Sequence, residues 1–381
     1  MTGFRDLKVL MVDSESTWRG GEGQLELLMR GLLAKTGFAV TLAAPAGSAI
    51  AGRAEALGVP FVPLAVSGGM DLAAAWKLRG HLRANHYDIL HCHSSHAHGV
   101  ALLAMKSMFA GNAWSKPALV VSRRVDFPVA TNRFSAVKYR GGVDAYVAIS
   151  RGVRDALIEG GVEESRIALV RSGIDLDKFA RVEDIGYLYE EFGISAQTPV
   201  IGNIAALAPH KSQADFIRAA AFVAKQLDGA KFFVVGEGKL RPELERLIED
   251  LRLNDDVFLT GFRSDVLELL SMFDCFVLSS YLEGLCTSIM DAQVIGVPVV
   301  ATRTGGVPDL VDDGATGLLV PPRRPELLAN AIVRMMTEAG LRESCAAAAM
   351  TKSRTYDYCD MVDGTVDVYR SMVERRMGVA R

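Results

Sequence analysis

The stretch DCFVLSSYLEGLCTSIMDAQVIGVPVV, residues 274–300, places two carboxylates in an otherwise apolar segment. DCFVLSS reads as a buried strand ending near Ser280 and YLEG as the turn beyond its carboxyl end. A helix then begins near Cys286, Thr287 and Ser288. Glu283 lies in the turn and Asp291 eight residues later in the helix. The same strand-then-helix order recurs upstream, with strands at VIGNIAAL (200–207), KFFVVG (231–236) and DVFLTG (256–261). Amphipathic segments KSQADFIRAAAFVAKQ (211–226) and LRPELERLIEDLRL (240–253) separate them. Strand signals lapse over residues 172–199. Before that gap a second series runs through LKVLMV (7–12), the helical EGQLELLMRGLLAKTG (22–37), FAVTLAA (38–44), DILHCH (88–93), PALVVS (117–122) and DAYVAIS (144–150). Two such series with one break predict an α/β chain of two doubly wound parallel-sheet domains, residues 1–175 and 190–356. No solenoid-period repeat or low-complexity tract interrupts them.

The 381 residues exceed what one core comfortably organises, and half of them are hydrophobic, enough for two. Five cysteines, with no C-x-x-C pair, point to a reducing, cytoplasmic setting, and Cys275 reads as a small core hydrophobe. The apolar run before Asp13 is too short for a signal peptide, and no later run reaches the length of a bilayer span. Charge is uneven: residues 1–175 carry 20 Lys and Arg against 15 Asp and Glu, the remainder 22 against 30. Between 106 and 140, Lys106, Lys116, Arg123, Arg124, Arg133, Lys138 and Arg140 meet one acid, Asp126, with Phe109, Trp114, Phe127, Phe134 and Tyr139 interleaved. Such a patch suits an anionic membrane surface or acidic ligand, or is simply solvated surface. Its confinement to one segment of an acidic protein argues against nucleic acid.

Ligands of doubly wound sheets collect beyond the carboxyl ends of strands. There, Gly20 and Gly21 open the first helix, where backbone N–H groups can meet an anion. The dinucleotide fingerprint G-x-G-x-x-G is absent, as is the Walker spacing, so neither a nicotinamide dehydrogenase nor a P-loop protein is indicated. His210 and Lys211 precede another helix and offer cationic character to a diphosphate. Eight helical residues rise about 12 Å, but Glu283 lies in the turn and Asp291 on the first turns of the helix, so both can address a ligand lying over the amides of Cys286, Thr287 and Ser288. Carboxylates accept from sugar hydroxyls and need no metal to do so. Two acids, a lysine and a helix end therefore describe a nucleotide-sugar site.

The segment LEGLCTSIMDAQVIGVPVVATRTGGVPDLV resembles the E-x7-E signature of the retaining GT-B glycosyltransferases of family 4. WRGGEGQLELLMRGL, LHCHSSHAHGVALLA, VRSGIDLDKF, IGNIAALAPHKS, VVGEGKL and LTGFRSDV follow in the family's order. The resemblance implies a GT-B fold, two Rossmann-like domains facing an interdomain cleft. The N-terminal one takes the acceptor and the C-terminal one the donor, and the final helix (357–381) crosses back onto the first. It assigns Glu283 to the donor sugar, Asp291 to the ribose, Lys211 to the diphosphate, Gly20 and Gly21 to a turn near the phosphates, and His93 to the neighbourhood of the reacting sugar. Two departures stand out: Asp291 replaces the second glutamate, and Ala206 replaces an arginine five residues before Lys211. Arg263 or His210 could supply the missing contact.

The implied activity is retaining, metal-independent transfer of a sugar from a nucleotide-diphosphate-sugar, most commonly a UDP-sugar, to a glycan or glycolipid hydroxyl. It would operate without a cofactor, in cell-envelope polysaccharide or lipopolysaccharide synthesis, peripherally on the inner face of the cytoplasmic membrane through residues 106–140. A nucleotide-sugar 2-epimerase of the same fold and a catalytically silent glycan-binding relative stay open as alternatives. Other polar residues carry plainer expectations. His91 belongs to the core, His96 and His98 cap the next helix or touch acceptor, Glu22 and Asp126 are surface or capping acids, and Asp175-Leu176-Asp177 is linker structure rather than a manganese motif.

Overall fold

The computed structural model describes residues 6–106, 116–127, 129, 138–181 and 184–376. The chain divides into two compact units, residues 1–173 with 358–381, and residues 174–357.

In the first unit β1 (Leu7–Val12), α1 (Gly20–Ala34), β2 (Phe38–Ala44), α2 (Ala49–Ala56), β3 (Phe61–Pro63), α3 (Leu72–Ala84), β4 (Ile89–Cys92), α4 (Ser95–Lys106), β5 (Ala118–Arg123), β6 (Ala145–Ala148), α5 (Arg151–Glu159) and β7 (Ile167–Leu169) follow one another. The strands form one sheet in the order β3-β2-β1-β4-β5-β6-β7. Every pairing in it is parallel. Strands buried on both faces read as unbroken apolar runs, which is why LKVLMV and PALVVS declare themselves in sequence.

In the second unit come α6 (Gly186–Phe192), β8 (Val200–Ile204), α7 (Gln213–Val223), β9 (Lys231–Val235), α8 (Arg241–Asp250), β10 (Val257–Gly261), α9 (Val266–Ser271), β11 (Cys275–Leu278), α10 (Thr287–Ile295), β12 (Val299–Thr302), α11 (Val307–Leu310), β13 (Leu318–Val320), α12 (Pro325–Thr337) and α13 (Ala339–Ser353). Its sheet runs β10-β9-β8-β11-β12-β13, again all parallel. The Asp175-x-Asp177 motif lies in a turn here, the Asp175 carboxylate accepting from the Asp177 amide at 3.2 Å.

The last helix, α14 (Tyr358–Arg376), packs on the first unit, where Met361, Val362, Val366, Tyr369 and Met372 join a core with Leu25, Leu28, Met29, Leu32, Val9 and Met11. Gln24 on α1 grips residue 173 with both ends of its buried amide, Nε2 donating to the Gly173 carbonyl at 2.7 Å and Oε1 accepting from its amide at 3.0 Å. The helices α1 and α14 approach so closely that a Cβ on Gly31 would stand 2.4 Å from Val362 Cγ2.

Of the basic segment 106–140, Phe109, Trp114, Arg133 and Phe134 lie outside the described residues. Two of its other cations turn inward. Arg123 is 8% exposed and donates to Tyr139 Oη at 2.8 Å and to the Phe127 carbonyl, while the stem of Arg124 lies along Gly21.

Helix propensity alone says that Gly31→Ala should stabilise α1 by about 1 kcal/mol. The contact with Val362 reverses the sign: Gly31→Ala is expected to destabilise by about 1–3 kcal/mol through overpacking. Val362→Ala in the same chain should recover part of that loss, as measured by urea denaturation.

Candidate active site

Both sheets reverse their strand order near the middle, between β1 and β4 in the first unit and between β8 and β11 in the second. At such a point the chain leaves neighbouring strands in opposite directions and a crevice opens beyond their carboxyl ends.

In the second unit the turns after β8 and β11 are sewn together across this point. The Tyr281 amide donates to the His210 carbonyl at 2.9 Å, and Ser279 Oγ to the Lys211 carbonyl at 2.9 Å. Lys211 ends a short 3-10 turn, Pro209–Lys211, followed by Ser212 at φ 51°, a left-handed conformation uncommon for a non-glycine residue. This tight turn carries Lys211 Nζ to 2.5 Å from Glu283 Oε2. Ser280 Oγ donates to the same oxygen at 3.2 Å, and the Gly306 amide donates to the Glu283 carbonyl at 3.0 Å. Glu283 is 9% exposed, so its charge is held by direct partners rather than by solvent.

Cys286 caps α10, and its first turn presents the half-buried Thr287 and Ser288. Burial, reinforced by Glu283, pushes the Cys286 thiol up to about 12, leaving it protonated and unreactive. Asp291 on α10 pairs with Lys178 of the 3-10 turn Leu176–Arg181 at 2.8 Å. Burial raises the Asp291 carboxyl above the ordinary range while Lys178 pulls it back.

Lys211, His210 and Glu283 are thus gathered at one point beside the start of α10, with Asp291 further along that helix. Arg263 is not among them. It follows β10, three strands from β11 and so about 14 Å across the sheet at ordinary strand spacing. Its guanidinium is committed to Glu191, at 2.6 and 3.0 Å, and to Asp265, at 2.8 and 2.6 Å. Sequence reasoning missed Lys178, although it stands in the family-like segment VRSGIDLDKF.

In the first unit the register Val12↔Cys92↔Val121 brings Asp13, His93 and Ser122 side by side one residue further on. The pleat sends them to the face that also carries His91, covered by α1 and α14. His91 Nδ1 shares a 2.6 Å hydrogen bond with Tyr369 Oη and Nε2 one of 2.8 Å with Ser122 Oγ, so it is a satisfied core histidine. The His93 ring lies 4.1 Å from that of His91, is 7% exposed, and finds no partner for either nitrogen among the described residues. Burial drives its pKa well below the usual histidine value, with His91 and Arg124 adding to the effect, so it is a neutral imidazole at physiological pH. His98 is neutral for the same reason; it is buried against Tyr139 and Tyr146 rather than placed as a cap. Ser94 Oγ accepts from the Ala97 amide in that place.

Gly20 and Gly21 are the first residues of α1, and Glu22 comes next. Glu22 is 5% exposed, which corrects the expectation of a surface acid. Burial and the neighbouring Asp13 raise its carboxyl to about 7, against the pull of backbone hydrogen bonds from Glu22 and Arg19 that make it a helix cap as well. Arg124 acts on Asp13, Glu22 and His93 together. Asp13, Glu22 and Arg124 were legible only as the residue after a strand, a cap and one member of a basic run.

Residues 18–178 match the family model described as Glycosyltransferase Family 4, and residues 188–352 match Glycosyl transferases group 1. The chain belongs to this glycosyltransferase family. It is 25% identical to the N-acetyl-alpha-D-glucosaminyl L-malate synthase of Bacillus anthracis over 73% of each chain. Identity is 28% to the UDP-Gal:alpha-D-GlcNAc-diphosphoundecaprenol alpha-1,3-galactosyltransferase of Escherichia coli over 56% of each. The chain spans about half the length of most of the curated relatives it matches. Among solved structures, Anabaena Alr3699/HepE in complex with UDP-glucose superposes with a TM-score of 0.83 at 22% identity, over 96% of this chain and 100% of that one. The GT-B fold, two parallel-sheet Rossmann-like units, is therefore the fold of this glycosyltransferase.

Glu22 supplies a pH test of the first unit. Its carboxyl rises from 4.5 to about 7 on folding, so the folded state holds the proton more tightly. The contribution to stability is intact below about 4.5 and is lost as pH climbs towards 7. Glu22→Gln keeps the cap and removes the charge. It should match the wild type near pH 4 and exceed it at pH 8 by at most about 3 kcal/mol in denaturant titrations.

Proposed function

We propose that this glycosyltransferase moves a sugar, with retention and without a metal, from a nucleotide-diphosphate-sugar to a hydroxyl of a glycan or glycolipid acceptor in cell-envelope polysaccharide or lipopolysaccharide synthesis. The observation that carries the reading is the pairing of Lys211 with Glu283 at the β8/β11 reversal, beside the amino-terminal end of α10. A UDP-sugar is the favoured donor. One relative is named for UDP-galactose and a lipid-diphosphate acceptor, and the HepE structure holds UDP-glucose.

As the glycosidic bond to the diphosphate breaks, negative charge grows on the leaving oxygens and the sugar takes on oxocarbenium character. Lys211 and the first amides of α10 supply positive charge to that diphosphate without reorganising. Glu283, held by Lys211 and Ser280, accepts from sugar hydroxyls and fixes the ring. Asp291 accepts from the ribose and shares its carboxylate with Lys178. The acceptor hydroxyl attacks from the face the diphosphate leaves, and the leaving phosphate takes its proton. His93, being neutral, orients and polarises rather than exchanging a proton at physiological pH.

A donor screen by thermal shift and slow hydrolysis, with UDP-, GDP- and ADP-sugars, tests this. One nucleotide series should stabilise the protein, EDTA should leave the shift unchanged, and Glu283→Ala should abolish sugar release. Loss of the shift with EDTA would contradict metal independence, and no response to any series would contradict the donor site. Lys211→Ala should lower kcat about 10²–10³-fold, as removal of a charge-stabilising donor does elsewhere, with a much smaller change in the affinity for the free nucleoside.

A further inference from the structure

Helix α3 is amphipathic in an unusual sense. Ala74, Ala75, Leu78 and Leu82 form its buried stripe, yet the opposite side of its first turns is also apolar. Leu72 is 71% exposed and Trp76 70%, one helical turn apart, and Met70 just before the helix is 67% exposed. Apart from Phe262, the exposed large hydrophobics among the described residues reach no more than 47%. Three nearly naked large side chains within seven residues form a patch, where single exposed hydrophobes would need no explanation.

The patch is held rigidly. Gly69 packs on α4 so closely that a Cβ on Gly99 would stand 2.2 Å from the Gly69 carbonyl oxygen. Asp71 caps α3, accepting from the Ala74 amide at 2.9 Å and from the amide and hydroxyl of Ser67 at 2.9 and 2.7 Å.

Apart from the capping carboxylate of Asp71, its charge is one-sided. Residues 72–84 contain Lys77, Arg79 and Arg83 and no acid, and the Arg79 guanidinium lies 5.2 Å from the Trp76 ring centre. Beside the Gly69 turn, Lys138 Nζ donates to the Ser95 carbonyl and hydroxyl at 2.8 Å, adding a further cation at the start of α4. Tryptophan, leucine and methionine ringed by lysine and arginine match the chemistry of a bilayer interface, where indole sits at headgroup depth and cations meet lipid phosphates. A second copy related by a two-fold axis would set these cations against themselves. Among the described residues no helix is long and apolar enough to cross a membrane, so the contact is one of lying on the surface.

We propose that the amino-terminal end of α3 docks the protein on an anionic lipid bilayer, with Met70, Leu72 and Trp76 seated among the headgroups and Lys77, Arg79 and Arg83 against their phosphates. The contact is placed on α3 rather than on residues 106–140, where Arg123 and Arg124 are engaged inside the unit. It does not depend on which sugar, or whether any sugar, is transferred.

Sedimentation of the full chain with sucrose-loaded vesicles tests it. The wild type should sediment with phosphatidylcholine–phosphatidylglycerol vesicles, much less with phosphatidylcholine alone, and less at high salt. Leu72→Ser with Trp76→Ser should abolish sedimentation. Lys77→Glu with Arg83→Glu should weaken it by about fivefold or more per residue, whereas Lys225→Glu on the second unit should not. In a chain carrying Trp18→Phe and Trp114→Phe, the emission of Trp76 should shift to the blue on anionic vesicles. The proposal is overturned if the wild type stays in the supernatant, if the Leu72/Trp76 variant still sediments, or if the Trp76 emission is unmoved. It is equally overturned if gel filtration without lipid finds a dimer that the same two substitutions dissociate, which would give the face to a second copy.

Discussion

The reversal of strand order at the centre of each sheet is the constraint on which the chemistry depends. A parallel sheet must send each crossover helix to one face or the other. Where the direction of winding changes, two adjacent strand ends are left with no helix between their loops. Asp13 and His93 stand at one such place and Lys211 and Glu283 at the other. Neither cluster owes its position to a local motif. Each is assembled by the topology from residues about 70 to 80 positions apart, and then tightened by short turns such as Pro209–Lys211.

The electrostatic settings of the two places differ. At the second unit's reversal a cation and an anion are paired directly, Lys211 against Glu283. The first unit's reversal instead gathers acids, a buried arginine and unprotonated imidazoles, where burial outweighs pairing and Glu22 is held near the middle of its titration at neutral pH. The first arrangement suits a dianionic ligand that can take over the lysine. The second suits neutral, hydroxyl-rich groups that donate to carboxylates and to imidazole nitrogen.

Much of the fold was legible because doubly buried strands cannot hide. Runs such as KFFVVG and LKVLMV alternate with amphipathic segments, and that alternation has few structural solutions. The loops after the strands already grouped Glu283, Asp291 and Lys211 in one site, and the family resemblance added a role for each; the direct Lys211–Glu283 pair came from the structure. What sequence could not convey was which way a charged side chain turns. Arg123 and Arg124 read as part of a surface basic run, a binding patch or solvated surface, but one donates to Tyr139 and the other lies over Gly21. Glu22 read as a surface cap because capping is a local property, whereas its burial depends on Asp13 and Arg124 from other strands. Arg263 looked available for phosphate until its neighbours Glu191 and Asp265 were placed around it.

The return of α14 to the first unit has a consequence for biosynthesis. Residues 174–357 form an uninterrupted unit that can close as soon as they leave the ribosome. The first unit cannot, because Met361, Val362, Val366 and Tyr369 belong to its core and are made only after the whole of the second unit. A nascent chain therefore carries an open apolar seam along α1, and His91 waits for its tyrosine, until α14 has been made.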